Sequence, residues 1–266
     1  MSDSSAVVAD QSTRTRVVVT STALVCLFLA LFFYDHSLFN RVVNVSFNWS
    51  ARYFGFFWQL LLLANFAIAI YVATRPSASV RLGNISAPEF PAFQWIAMVL
   101  CTLLAGGGVF WAAAEPLAHF VVPPPVFGEV VPNSADAVKY ALSQSFLHWG
   151  FLAWSILGSL GAIILMRLHS EKGLPLAPRT LLYPLLGEKG VRGRWGDIAD
   201  IVSVLAVFAG TVGPIGFLGL QVSYGMSELY GTSDSKTAQL ITIALLMVVY
   251  LSSAVSGMHK GIQILS

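Results

Sequence analysis

Six long apolar runs set the terms for this chain: Val17 to Phe33, Tyr53 to Thr74, Phe93 to Phe120, Ala137 to Met166, Ile198 to Tyr224 and Ala238 to Ser256. A helix crossing a bilayer needs about 20 predominantly apolar residues, because its backbone must satisfy its own hydrogen bonds in lipid. Each run is long enough or nearly so. Composition agrees: 56% of residues are hydrophobic and 11% charged, against about 25% charged in a soluble domain. So few charges cannot cover a water-facing surface, and most of the exterior must face lipid. The first run is longer than a signal-peptide core, and no small-x-small cleavage pattern follows it before Asp35, so it reads as a retained helix.

Charge placement sets an orientation. With the N-terminus inside, cytoplasmic segments hold Arg14, Arg16, Arg75, Arg81, Arg167, Lys172, Arg179, Lys189, Arg192, Arg194 and Lys260. The outer segments hold only Arg41, Arg52, Lys139 and Lys236. This is the bias of the positive-inside rule, and it predicts a multi-pass protein of the cytoplasmic membrane with a cytoplasmic tail over 1–16. The net charge of +2 and the lack of any basic block leave nucleic-acid binding unsupported. Cys26 and Cys101 sit inside apolar runs and read as small hydrophobes.

The run Phe93–Phe120 exceeds the hydrocarbon thickness by about 12 Å as a straight helix, so a tilt, a break or an interfacial extension is expected. It contains Ala105-Gly106-Gly107-Gly108 and then Glu115-Pro116. Glycines in a membrane helix cost about 1 kcal/mol each relative to alanine. They suit either an unwound binding segment or a close helix contact. Glu115 near the outer end reads as an interfacial carboxylate. The fourth run carries His148, Trp149 and Trp154. His148 could relay protons or hydrogen-bond across the bundle. The two tryptophans lie about 140° apart on an ideal helix; they could flank a cavity and offer indole faces to a cation. The fifth run holds glycines at 210, 213, 216 and 219 with Pro214, a smooth strip for helix contact. Thr211 could coordinate Na⁺ or cap a freed carbonyl. No HExxH, paired Cys/His spacing or G-x-S-x-G is present, so catalysis has no positive motif.

In order, these segments resemble the betaine/choline/carnitine transporter family: Trp111-Ala-Ala-Ala-Glu115-Pro116, then Phe146-Leu-His148-Trp149 with Trp154, then Asp197-Ile-Ala-Asp200, Gly210-Thr211 and Gln221, and finally Ser256-Gly257 through Ser266. The similarity runs from about residue 90 onward. It implies an all-α polytopic membrane helix bundle of the LeuT-like inverted-repeat fold, truncated after about six transmembrane helices. Two leading helices would occupy 17–92 and an incomplete first repeat 93–266. The implied activity is secondary transport of quaternary ammonium compounds such as glycine betaine, choline or carnitine, with no cofactor and with Na⁺ or H⁺ as coupling ion. The resemblance places Trp149, Trp154, Ala105, Gly106 and Gly107 at the substrate and Thr211 at a sodium site, and it suggests a homotrimer in the bilayer for a full-length protein.

The chain departs from that pattern in places. The family's first two glycine positions fall on Leu103 and Ala105, its third aromatic on Leu157, and its second threonine near Thr211 on Val207. The tryptophan-rich eighth helix would lie beyond Ser266. Two other readings compete with a truncated or split transporter: a non-transporting membrane subunit or degenerate remnant, and a membrane-embedded enzyme using His148 or His119 with Glu115. The last requires those groups to converge on a polar cavity.

Overall fold

The computed structural model describes residues 2–81, 85–88, 90–104, 106–155 and 160–256. Among them there is no β-strand, and the chain is built from α-helices with short 3-10 turns. The helices are α1 (Ser2–Tyr34), α2 (His36–Ala73), α3 (Ala92–Leu104), α4 (Gly106–Val121), α5 (Ala135–Trp149), α6 (Phe151–Trp154), α7 (Leu160–Lys172), α8 (Tyr183–Arg192), α9 (Arg194–Tyr230) and α10 (Lys236–Ser256). Four have the length and apolarity to cross a membrane: α1 over Thr13–Tyr34, α2, α9 and α10. The protein is an all-α, multi-pass membrane protein.

Few side chains are buried within the chain. Among the described residues, Val17, Ala137, Ala141, Leu168, Leu174 and Val191 are the buried apolar ones, whereas Phe56 and Leu245 stay 73% and 63% exposed. In water such surface would cost about 25 cal/mol per Å². In a bilayer it faces a solvent as apolar as itself.

The chain divides into two compact units. The first comprises residues 1–85 and 149–207, the second 86–148 and 208–266.

In the first unit, α1 turns into α2 at one residue, Asp35. Its carboxylate accepts from the Ser37 N–H at 2.9 Å, the Leu38 N–H at 3.0 Å and the Ser37 hydroxyl at 2.7 Å, supplying partners to a helix start that would otherwise lack them. These bonds, the Leu38 N–H first, hold the Asp35 carboxyl below its ordinary value. Edge-on packing of Phe39 against Phe28 and Phe32, at 4.8 and 5.2 Å between ring centres, closes the corner. At 38 residues, α2 is about 57 Å long and begins well before the Tyr53 that hydropathy suggests. Its first turns carry Asn40, Arg41, Asn44 and Asn48, polar residues that lower the local hydropathy while leaving helix formation intact. On α7, Gly173 at φ 64° ends the helix, its N–H bonding the His169 carbonyl at 2.9 Å. Only glycine adopts that left-handed conformation without a Cβ penalty.

The fourth apolar run differs from a single span. Gly150, at φ −81° and ψ −173°, is extended and separates α5 from α6. Hydropathy does not register this break, because Trp149 and Phe151 keep the run apolar while glycine, about 1 kcal/mol poorer than alanine in a helix, releases the ladder. The third run lies in α3 and α4 on either side of Ala105, which is outside the described residues; Gly106, Gly107 and Gly108 are helical.

In the second unit, the glycine strip of α9 is not uniform. A Cβ on Gly219 would collide with Cγ1 of Ile243 on α10, whereas one on Gly210, Gly213 or Gly216 would meet nothing within 4 Å. The expected smooth strip thus narrows to one close contact, since a helix crossing touches only the residues at its point of approach. Phe217 stacks on Phe110 of α4 at 6.2 Å. Where α9 meets α10, the buried Ser223 hydroxyl donates to Asp234 at 2.7 Å and Gln239 to the same oxygen at 3.0 Å. These donors, Ser223 above all, lower the Asp234 pKa.

Candidate functional site

The indoles of Trp149 and Trp154 lie 5.9 Å apart between ring centres, inclined at 42°. On a continuous helix they would diverge by about 140°. The extended Gly150 between them removes that constraint and brings the rings together. Trp149 remains 39% exposed, which leaves indole surface for a ligand. Two adjacent indoles present concentrated π-electron density, and an organic cation over such faces gains about 0.5–2 kcal/mol per ring.

The remaining candidates divide by place. Gly106 and Gly107 open α4, and Thr211 lies within α9; these three belong to the second compact unit, the tryptophans to the first. Ala105 and Leu157 are outside the described residues. Val207 and Thr211 are four residues apart on α9, so they share a helical face.

Two clusters were only partly visible in the sequence. The first joins Glu115 and His119 of α4 to His148 of α5. Glu115 is buried, 7% exposed. His119 Nε2 lies 3.3 Å from its Oε1, and His148 Nδ1 hydrogen-bonds the same oxygen. Gln144, one turn before His148 on α5, bonds the other ring nitrogen of His148 at 2.7 Å. Each helix contributes an i,i+4 pair, and the two pairs face each other. The three groups meet, which alone does not supply the polar cavity that an embedded-enzyme reading requires; spacing on α4 allows the Glu115–His119 pair, but not its meeting with a residue 33 positions on.

The second cluster involves Arg179, which by sequence counted only toward the cytoplasmic charge. It is 6% exposed. Its Nε donates to Asp200 at 2.6 Å, its backbone N–H to the same carboxylate at 2.8 Å, and its Nη2 to Asp197 at 3.1 Å. Arg16 of α1 donates to the second Asp197 oxygen at 3.1 Å. Two arginines thus balance two carboxylates. A Cβ on Gly196 would collide with the Val191 carbonyl, so close approach here requires glycine. The Asp197-Ile-Ala-Asp200 segment anchors the loop after α7 onto α9, and this role is structural.

Comparison with known proteins agrees with the ordered segments. The chain is 52% identical over 246 residues to glycine betaine transporter 2 of Vibrio parahaemolyticus, an alignment covering 92% of this chain and 45% of that protein. It is 32% identical over 214 residues to the glycine betaine transporter OpuD of Bacillus subtilis, covering 80% and 41%. With the high-affinity choline transport protein of Escherichia coli it shares 29% identity over 253 residues, covering 94% and 36%. The chain spans less than half the length of these relatives. The family model for betaine/carnitine/choline transporters matches residues 16–266, extending the likeness seen from residue 90 back to residue 16. On that match, which covers nearly the whole chain, the chain belongs to the betaine/carnitine/choline transporter family.

Proposed function

We propose that this chain forms the substrate-contacting front portion of a secondary transporter for quaternary ammonium compounds such as glycine betaine, choline or carnitine. The observation that carries this reading is the Trp149–Trp154 pair, 5.9 Å apart across the extended Gly150. A trimethylammonium group has no N–H to donate and cannot be deprotonated. Recognition must therefore come from shape and from aromatic faces, and two indoles supply both. By resemblance to the family, the reading also keeps Gly106 and Gly107, with Ala105 beside them in sequence, as substrate-binding positions. The reading includes a multi-pass position in the inner membrane with a cytoplasmic N-terminus, two leading helices over 17–92 and part of a first inverted repeat over 93–266. Coupling is to Na⁺ or H⁺, with Thr211 a sodium ligand in the first case. In the second, no threonine ligand is needed, and Val207 beside it costs nothing. The working assembly is a homotrimer, and the chemistry is translocation rather than catalysis.

The test is uptake of labelled glycine betaine, choline and carnitine into transport-deficient cells and proteoliposomes. It uses the chain alone and the chain co-expressed with the remaining half of a full-length relative, with and without Na⁺. Trp149→Ala and Trp154→Ala should each weaken cation affinity by about 5–30-fold, the equivalent of about 1–2 kcal/mol. Uptake of none of the three by either preparation would remove the transport reading, and uptake indifferent to both substitutions would remove these tryptophans from the site.

A further inference from the structure

Glu115, His119 and His148 fall outside the tryptophan pair, and the proposed transport does not use them. We propose that they form a binding site for a divalent transition-metal ion, zinc foremost, that clamps α4 to α5. One carboxylate oxygen and two imidazole nitrogens lie within 4.8 Å of one another. Tetrahedral zinc with bonds of about 2.0–2.1 Å sets its ligand atoms about 3.3 Å apart, and Glu115 Oε1 and His119 Nε2 stand at 3.3 Å. His148 needs only side-chain rotation to complete the three-ligand face. With its side chain 49% exposed, water can take the fourth position.

Donor chemistry narrows the ion. Two imidazoles favour zinc, copper, nickel or cobalt, whereas Ca²⁺ and Mg²⁺ demand six or more oxygen ligands that this face lacks. The carboxylate leaves a bound Zn²⁺ with a net charge of one, which a hydroxide in the open position would cancel. The surroundings also supply an orienting contact. Metal-bound histidines hold their second ring nitrogen to a hydrogen-bond partner, and Gln144 bonds His148 Nε2 at 2.7 Å. With the metal absent, the Gln144 amide donates to Nε2 and His148 Nδ1–H donates to Glu115. Turning that amide over presents its oxygen to Nε2–H and leaves Nδ1 without a proton, ready to ligate. The same two helices thus hold the cluster in either state.

The experiment is titration of the purified full chain in detergent with ZnCl₂ by calorimetry, and with CoCl₂ by visible absorption. One ion per chain and the intense visible bands of four-coordinate Co²⁺ are expected. His119→Gln and His148→Gln, both at partly exposed positions that tolerate the change, should each weaken zinc binding at least 10-fold. Gln144→Leu, which removes no ligand, should weaken it about 10–100-fold, and His36→Gln should leave it unchanged. Circular dichroism of each variant confirms that helix content is retained. Zinc binding that survives both histidine substitutions, six-coordinate cobalt, or no binding below about 100 µM zinc would overturn the proposal.

Discussion

Replacing Arg179 with methionine would test whether the cluster of Arg179, Asp197, Asp200 and Arg16 holds this part of the chain together. The guanidinium side chain is 7% exposed, and its partners Asp197 and Asp200 are 16% and 13% exposed. Methionine keeps much of the volume while removing the charge and all the side-chain donors. Asp200 is then left with the Arg179 backbone N–H at 2.8 Å, and Asp197 keeps Arg16 at 3.1 Å. Removing one member of a buried ion pair strands a desolvated charge and costs about 3–5 kcal/mol. For a chain of this size that corresponds to a loss of roughly 6–20 °C in unfolding temperature. Arg16→Gln is the internal control. The Arg16 side chain is 55% exposed, so solvent screens its pair and the change should cost under about 1 kcal/mol. Thermal unfolding in detergent, followed by tryptophan emission and by size-exclusion recovery, measures both. Arg179→Met and Arg16→Gln shifting the transition equally, or neither by more than about 2 °C, would refute the claim that burial makes Arg179 the keystone.

Three further outcomes follow from the geometry. Gly150→Ala should favour a continuous α5–α6 helix by about 1 kcal/mol, turning Trp154 away from Trp149; loss of the coupled indole signal in near-ultraviolet circular dichroism would report it, together with weaker tetramethylammonium binding. Gly219→Leu should destabilise the α9–α10 pair by about 1–3 kcal/mol through overpacking against Ile243, whereas Gly216→Leu should not, as thermal unfolding of the two variants will show. The pKa of Asp234 is depressed in the folded chain, so its carboxylate contributes stability above the ordinary value of 3.8. That contribution disappears as pH falls through the lower folded value. Ser223→Ala should raise the folded value toward the ordinary one and flatten the acid limb of the stability-versus-pH curve.

Much of the fold is legible without coordinates because lipid imposes a simple local rule. A helical segment that crosses must be apolar and about 20 residues long; α10 coincides closely with its hydropathy run, α9 overshoots its run by a turn or two at each end, and α1 contains the run from Val17 to Phe33 but begins at Ser2. The rule weakens where polarity and helicity part company. The polar start of α2 is helical, and the apolar run around Gly150 is not continuously so. Hydropathy measures where a residue prefers to be, while φ and ψ decide which way its neighbours point.

The sequence by itself determined that this is a multi-pass membrane protein and, through Glu115-Pro116, His148-Trp149, Asp197-Ile-Ala-Asp200 and Gly210-Thr211 in order, which family it belongs to. The four-residue spacing of Glu115 and His119 also allows them one helical face, a signal that only the structure made meaningful. Only the tertiary structure decided that Trp149 and Trp154 meet, that a carboxylate on α4 faces a histidine on α5, that Arg179 is buried between two aspartates, and that Gly219 alone of the four glycines touches α10. The physical reason is range. Hydropathy, charge bias and helical periodicity are properties of consecutive residues. Each of these four contacts depends on a backbone break, or on a partner many residues away, and no local pattern encodes that meeting.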